Sequence, residues 1–193
     1  MLENLEKYHI LLASKSPRRR ELLSNLRIPF NSISMGGIDE SYPENMPVNS
    51  VPQYLAAKKA DAYSESIRTN EMIITADTLV IKGEKVYSKP KNNQEAKEML
   101  RELSGNIHKV ITGVCIYTLE RQACFTSETD VKFAELSDED IDYYVENYIP
   151  LDKAGAYGIQ EWIGCVAVEW IRGSFYNVMG LPVHKLYQEL KKF

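Results

Sequence analysis

The stretch Tyr8-His9-Ile10-Leu11-Leu12-Ala13-Ser14-Lys15-Ser16-Pro17-Arg18-Arg19-Arg20-Glu21-Leu22-Leu23 joins an apolar run to a helix start through a short polar turn. Ile10, Leu11 and Leu12 are consecutive apolar residues, as in a strand buried on both faces. Ser16 is a good N-cap, and Pro17 has the fixed φ suited to a first helical position. A helix is therefore predicted from 17 to about 26, with Leu22, Leu23 and Leu26 as its core face. Strand, tight turn and helix in immediate succession point to an α/β or α+β chain.

The same alternation continues outward. A short strand is expected at 30–34, followed by a polar loop over 36–52 with several prolines and two glycines. A loop of that length is often functional. A helix follows at 52–67 and a strand at 72–75. Segments 79–81 and 85–87 read as a hairpin around Gly83. Asn92-Asn93 caps a helix that ends at Gly105. Strands are expected at 109–117 and 124–133. Ser137 starts a helix with Asp138, Glu139 and Asp140 in its favourable first turn, and Pro150 stops it. The tail carries predicted strands at 166–171 and 175–178 and a helix from Pro182 to the basic end.

The turn at 14–20 carries Lys15, Arg18, Arg19 and Arg20. Cations at a helix N-terminus oppose the macrodipole, at a cost of about 0.3–1 kcal/mol each. A polyanion bound in the turn offsets that cost, because free N–H groups and arginines both suit phosphate. The alternative is a solvated basic face. The second candidate is Ala76-Asp77-Thr78, read as following the 72–75 strand. Ligands of open α/β sheets gather at strand C-termini, where an Asp could hold a cation or act as a general base. A turn-forming Asp is the competing reading. Phosphoryl chemistry would need further charges with it, and Glu40, Lys59 and Lys89 are candidates. A third segment, Asp152-Lys153-Ala154-Gly155-Ala156-Tyr157-Gly158-Ile159-Gln160, has small residues that suit close backbone approach. Gln160 offers a donor and an acceptor for a base edge. A plain structural turn is the alternative there.

The chain has 193 residues, 44% hydrophobic and 26% charged, with a formal net charge of -4. That length can bury a core without disulfides or structural metal. The acidic balance is not that of a nucleic-acid-coating surface. No window approaches the roughly 20 apolar residues of a membrane helix, and the N-terminus lacks a signal-peptide pattern, so a cytoplasmic location is expected. The three cysteines match no zinc spacing. Cys115 and Cys165 lie in apolar stretches and read as buried free thiols.

Taken in order, these segments resemble the Maf family of nucleotide pyrophosphatases. The matching pieces are Ser14-x-Ser16-Pro17-Arg18-Arg19-x-Glu21-Leu22-Leu23, Ala76-Asp77-Thr78-x-Val80, Lys89-Pro90, and Leu103-Ser104-Gly105 with His108-x-Val110-x-Thr112-Gly113-Val114. The run from Asp152 to Gln160 and Asn177-Val178-Met179-Gly180-Leu181-Pro182 complete them. The resemblance implies a single domain over 1–193. It implies a two-lobed α/β fold of Maf/ITPase-like type, with helices flanking a curved mixed sheet and the active site in the interlobe cleft. It implies hydrolysis of a nucleoside triphosphate to the monophosphate and pyrophosphate with a divalent cation, Mg2+ or Mn2+, often in a homodimer. By position, Asp77 corresponds to the general base. Glu40, Lys59 and Lys89 correspond to supporting charges, with Asp77 and Glu40 as metal ligands. Ser14, Arg18, Arg19, Thr78 and Gln160 fall at substrate-binding and specificity positions. The 152–160 run resembles the dTTP/UTP branch. The chain departs from the pattern at Glu161, where Gly usually follows Gln160. Two alternatives stay open at this level. One is a pyrophosphatase for another or modified nucleotide. The other is a nucleotide-binding or nucleic-acid-binding regulator, for example of cell division.

Overall fold

The structure is a computed structural model that describes residues 2–34 and 36–193; Met1 and Met35 lie outside the described residues. The strands are β1 (His9–Ala13), β2 (Asn31–Ile33), β3 (Glu71–Lys82), β4 (Lys85–Tyr87), β5 (Ile107–Tyr117), β6 (Gln122–Phe133) and β7 (Val168–Arg172). The helices are α1 (Pro17–Ser24), α2 (Val51–Asp61), α3 (Asn93–Leu103), α4 (Asp138–Tyr148), α5 (Trp162–Ala167), α6 (Phe175–Met179) and α7 (Val183–Leu190). The strands form one mixed sheet in the order β2-β1-β3-β5-β6-β7, with β4 on β3. β1 is parallel to β2 and to β3, whereas β3–β4 and β6–β7 are antiparallel. The α/β expectation holds.

The chain divides into two compact units. One comprises Met1–Asp77, Thr112–Ser127 and Gly180–Phe193; the other comprises Thr78–Ile111 and Glu128–Met179. In the first unit the opening stretch folds as read. Leu12 and Leu23 are fully buried and Ile10 and Leu22 almost so. Each such side chain contributes about 1.5–3 kcal/mol on leaving water. The Ser16 hydroxyl accepts from the Arg19 amide at 3.4 Å and caps α1. α2 starts against β5 at Gly113, where an added Cβ would lie 2.2 Å from the backbone of Pro52 and Gln53. Ala56, Ala60 and Cys115 form a small core there. α7 is tied back by Asn4, whose amide donates to Leu190 O at 2.8 Å.

In the second unit Asn92 caps α3 through the Glu95 amide at 2.9 Å. Ser137 and Asp140 close a capping box on α4. Ion pairs Arg101–Asp138 at 2.6 Å and Lys97–Asp142 at 2.8 Å join α3 and α4. His108, Phe133 and Tyr157 pack edge to face, with centroids 4.8–5.3 Å apart. That is the preferred aromatic geometry.

Several expectations are corrected. The 72–75 strand does not end before Asp77: β3 is one strand of 12 residues. It pairs with β1 up to Ile74 and with β4 from Val80, so a change of partner, not a chain break, explains the polar interruption. The helix expected to 67 ends at Asp61, and turns follow. The strand expected at 175–178 is helix α6. Ser174 Oγ accepts from the Asn177 amide, as a cap would, and the buried Asn177 side chain donates to Val110 O and Thr129 Oγ1 at 3.0 Å each. Cys115 is buried but not a free thiol. It is bonded to Cys124, because the 118–121 turn sets the two residues side by side on β5 and β6. Cys165 is exposed on α5.

Candidate active site

In the first unit the ends of the parallel segments hold the charged residues. Ser14 follows β1, and its hydroxyl accepts from the Ser16 amide at 3.2 Å, shaping the turn into α1. Asp77 lies on β3, three residues beyond the last β1 pairing at Ile74. Its carboxylate is largely buried, and Oδ1 accepts from Lys59 Nζ at 2.6 Å. The same Nζ lies 2.9 Å from Glu40 Oε1. Lys59 is thus set between two carboxylates, one from β3 and one from the loop before α2.

Two further contacts hold this arrangement. Thr75 Oγ1 donates to Ala56 O at 2.6 Å and ties α2 to β3 in the core. Lys58, the residue before Lys59, pairs with Asp39, the residue before Glu40, at 2.8 Å. Hydrogen bonds from Lys58 and then Ser41 hold the Asp39 carboxyl well below the usual carboxylate range. Consecutive lysines on a helix and consecutive acids on a loop therefore dock the loop in register, though Glu40 and Asp39 themselves remain exposed.

Arg19 closes the group from α1. Its Nε donates to Gly180 O at 2.8 Å and an Nη to Ala76 O at 2.7 Å. Burial pulls its guanidinium down from the ordinary value, with Arg18 adding to the fall; Asp77 and Glu40 oppose it. Arg19 therefore both cross-links backbone and places a cation beside two anions. Arg18 is half-buried on the same helical turn, whereas Lys15 and Arg20 are exposed.

Asp77 and Glu40 present hard carboxylate oxygens, the donor type that suits Mg2+ or Mn2+. Among the described residues no group of three or more His, Cys, Asp or Glu forms a ready cage. Magnesium is commonly held by one or two carboxylates, with waters and substrate phosphates completing its shell, so the pair fits such an ion.

The structure thus brings Asp77, Lys59, Glu40 and Arg19 together in the first unit. Thr78, Lys89 and Gln160 belong to the second. Lys89 is exposed, straight after β4, and its neighbour Ser88 accepts through O from the Gly155 amide at 3.2 Å. The 152–160 segment is buried from Gly155 to Ile159 and surfaces at Gln160. Gly155 and Ala156 both take positive φ, 69° and 59°. Such a conformation is strained for Ala and concentrates at functional loops. His108 Nε2 lies 2.7 Å from the Tyr157 hydroxyl and pins that segment from below.

Thr75, Gly180 and Gly113 were not singled out as site residues from the sequence. The buried hydroxyl inside an apolar strand was the available signal for Thr75. The carbonyls of Ala76 and Gly180 carry no side-chain signal at all.

A family model described as Maf-like protein matches residues 9–193. The chain is 55% identical over 192 residues to a Phocaeicola vulgatus protein named dTTP/UTP pyrophosphatase, with 100% of each covered. It is 56% identical over 193 residues to one of the same name from Parabacteroides distasonis, again with 100% of each covered. A Bacteroides thetaiotaomicron protein so named is 53% identical over 192 residues, covering 100% of both.

Proposed function

This chain belongs to the Maf family, and on that premise we propose that it hydrolyses dTTP and UTP to the nucleoside monophosphate and pyrophosphate. The observation that carries the chemistry is Lys59 Nζ between Asp77 Oδ1 at 2.6 Å and Glu40 Oε1 at 2.9 Å, beside the anchored Arg19. A water attacks the triphosphate, the bridge between the α- and β-phosphates breaks, and pyrophosphate leaves. Asp77 accepts the proton of that water. Lys59 holds Asp77 through Oδ1 and so orients the carboxylate toward the water. Arg18, Arg19, Lys89 and the α1 N-terminus offset the charge that develops on phosphate, where fixed donors need no reorganisation. A divalent cation, Mg2+ or Mn2+, held by Asp77 and Glu40 would supply further charge neutralisation on the phosphates.

Thr78 and Gln160, with Arg18, carry base recognition in this reading, and Ser14 binds phosphate at the turn. Modified pyrimidine nucleotides fit the same recognition, as in a house-cleaning role. The whole of 1–193 acts as one catalytic domain in a cytoplasmic homodimer. Among the described residues no helix is long and apolar enough to cross a membrane.

Incubation with dTTP, UTP, dCTP, CTP and GTP plus Mg2+ or Mn2+, followed by pyrophosphate assay, tests the proposal. Turnover confined to dTTP and UTP is expected. Absence of pyrophosphate from every nucleotide, with folded protein, overturns it.

A further inference from the structure

Glu161 follows the residue assigned to base recognition, and its side chain is engaged inside the protein. Oε2 accepts from the Tyr144 hydroxyl, and Oε1 lies 3.2 Å from Lys153 Nζ. Lys153, itself buried, also pairs with Asp152 at 2.7 Å. The same Tyr144 hydroxyl accepts from the Gly158 amide at 3.0 Å. One carboxylate thus connects the start of the 152–160 loop, its middle and helix α4.

The packing around this clasp is close. A Cβ on Gly158 would lie 2.8 Å from the Glu161 carboxylate carbon and 2.9 Å from both Glu161 Oε2 and Gln160 Nε2. The space that a side chain at 158 would fill is therefore bordered by the two neighbouring side chains. A Cβ on Gly164 would lie 1.8 Å from Ile159 O, so α5 presses on the backbone just before Gln160. Gln160 itself is exposed.

A primary amide is a donor at one end and an acceptor at the other. Turned over, it matches a different base edge. Thymine and uracil present an N–H beside a carbonyl, and cytosine presents a ring nitrogen acceptor beside an amino group. A glutamine free to turn over reads both. Glu161 Oε2 and Gln160 Nε2 border the same space, each 2.9 Å from where a Gly158 Cβ would stand, and a negative charge near the amide nitrogen favours that orientation. We propose that Glu161 is a positioning residue. Clamped by Lys153 and Tyr144, it fixes the Gln160 amide in the orientation that selects the thymine and uracil edge over the cytosine edge. This rests on the reading that Gln160 contacts the base.

The test is the ratio of kcat/KM for dTTP to that for dCTP in the full-length protein, measured for wild type, Glu161→Gln, Tyr144→Phe and Gln160→Ala. Glu161→Gln keeps shape and removes charge; Tyr144→Phe removes the hydroxyl that holds the carboxylate and accepts from the Gly158 amide. Each is expected to lower the ratio by about tenfold, the scale of one mis-set hydrogen bond. The change should fall mainly on KM for dTTP and on a gain with dCTP, more than on kcat at saturating dTTP. A destabilised loop with no such role would depress both substrates together. If Gln160→Ala abolishes the preference and the other two variants keep it, the positioning role is overturned and the base contact stands. If Gln160→Ala keeps the preference, or wild type shows none, the base contact itself fails and the positioning role with it.

Discussion

Gly113→Ala should damage stability and turnover together. The added methyl carbon would sit 2.2 Å from the Pro52 carbonyl carbon and the Gln53 nitrogen and 2.3 Å from Pro52 O. Non-bonded carbon contacts are comfortable at about 3.5 Å. The shortfall is about 1.3 Å against backbone, which cannot rotate away. Either β5 or the start of α2 must shift. Overpacking of this kind costs about 1–3 kcal/mol, and a clash with two backbone residues belongs at the upper end. For a chain of this size, about 3 kcal/mol corresponds to a fall in Tm of roughly 6–12 °C. α2 also carries Lys59, two turns beyond Pro52, so its displacement pulls Nζ away from Asp77. A 1 Å misplacement can cost about 10²-fold in rate. Thermal unfolding by circular dichroism and pyrophosphate release at 25 °C give the two readings. A variant with wild-type Tm and kcat would show that α2 does not rest on β5 at this point. A lowered Tm with unchanged kcat would show that Lys59 does not depend on that contact.

Asp77→Asn should lower pyrophosphate release by about 10²–10⁴-fold, the range for a general base, without changing the circular dichroism spectrum; full activity removes Asp77 from that role. Lys59→Met removes the cation shared by Asp77 and Glu40 and should depress kcat by at least about tenfold, with Lys59→Arg recovering part of it; equal activity of all three proteins contradicts the arrangement. Chelation with EDTA should abolish turnover and added Mg2+ or Mn2+ should restore it, as followed by pyrophosphate assay; activity that survives chelation excludes the metal. Burial, helped by the charge of Lys82, lowers His108 from 6.5 to about 3, so the unfolded chain takes a proton that the folded one refuses between those values. Stability from this group is complete above about pH 6.5 and falls by about 1.4 kcal/mol per unit below it, or roughly 2 kcal/mol by pH 5; His108→Gln should flatten the change in urea midpoint between pH 7 and pH 5, and an unaltered slope refutes the assignment.

What was legible in the sequence was local. The apolar run 10–12, the Ser16 cap and Pro17 fix β1 and α1 within a residue or two, because each signal acts over one turn. Asn92 and Ser137 mark the starts of α3 and α4 for the same reason. The misreadings were non-local. Phe175-Tyr176-Asn177-Val178 has strand composition, yet the buried Asn177 needs the Val110 carbonyl and the Thr129 hydroxyl, and those partners are set by tertiary structure. Cys115 and Cys124 read separately until a hairpin places them together. Asp77 and the 14–20 turn were visible as candidates from their position and charge. Lys59 was a weaker candidate, since a lysine on a helix is ordinarily a surface charge; the family resemblance supports it, and the geometry places it against Asp77.

The location of Asp77 in the middle of a long strand has a physical logic. A strand buried on both sides normally has its carbonyls and amides taken by neighbouring strands. β3 runs beside β1 only to Ile74, and its register with β4 begins at Val80. In the stretch between these two pairings, bonds to α1 and α2 take part. Arg19 donates to Ala76 O, and the hydroxyl of Thr75 reaches Ala56 O on α2. The guanidinium thus serves as a substitute for strand pairing while its charge faces Asp77 and Glu40. A planar fork suits this dual role: Nε and Nη reach two carbonyls, Gly180 and Ala76, at fixed angles. The ammonium of a lysine is a point donor and could supply the charge but not that cross-link. The exchange of strand partners that opens β3 for a charged side chain is therefore the same feature that requires an arginine at position 19.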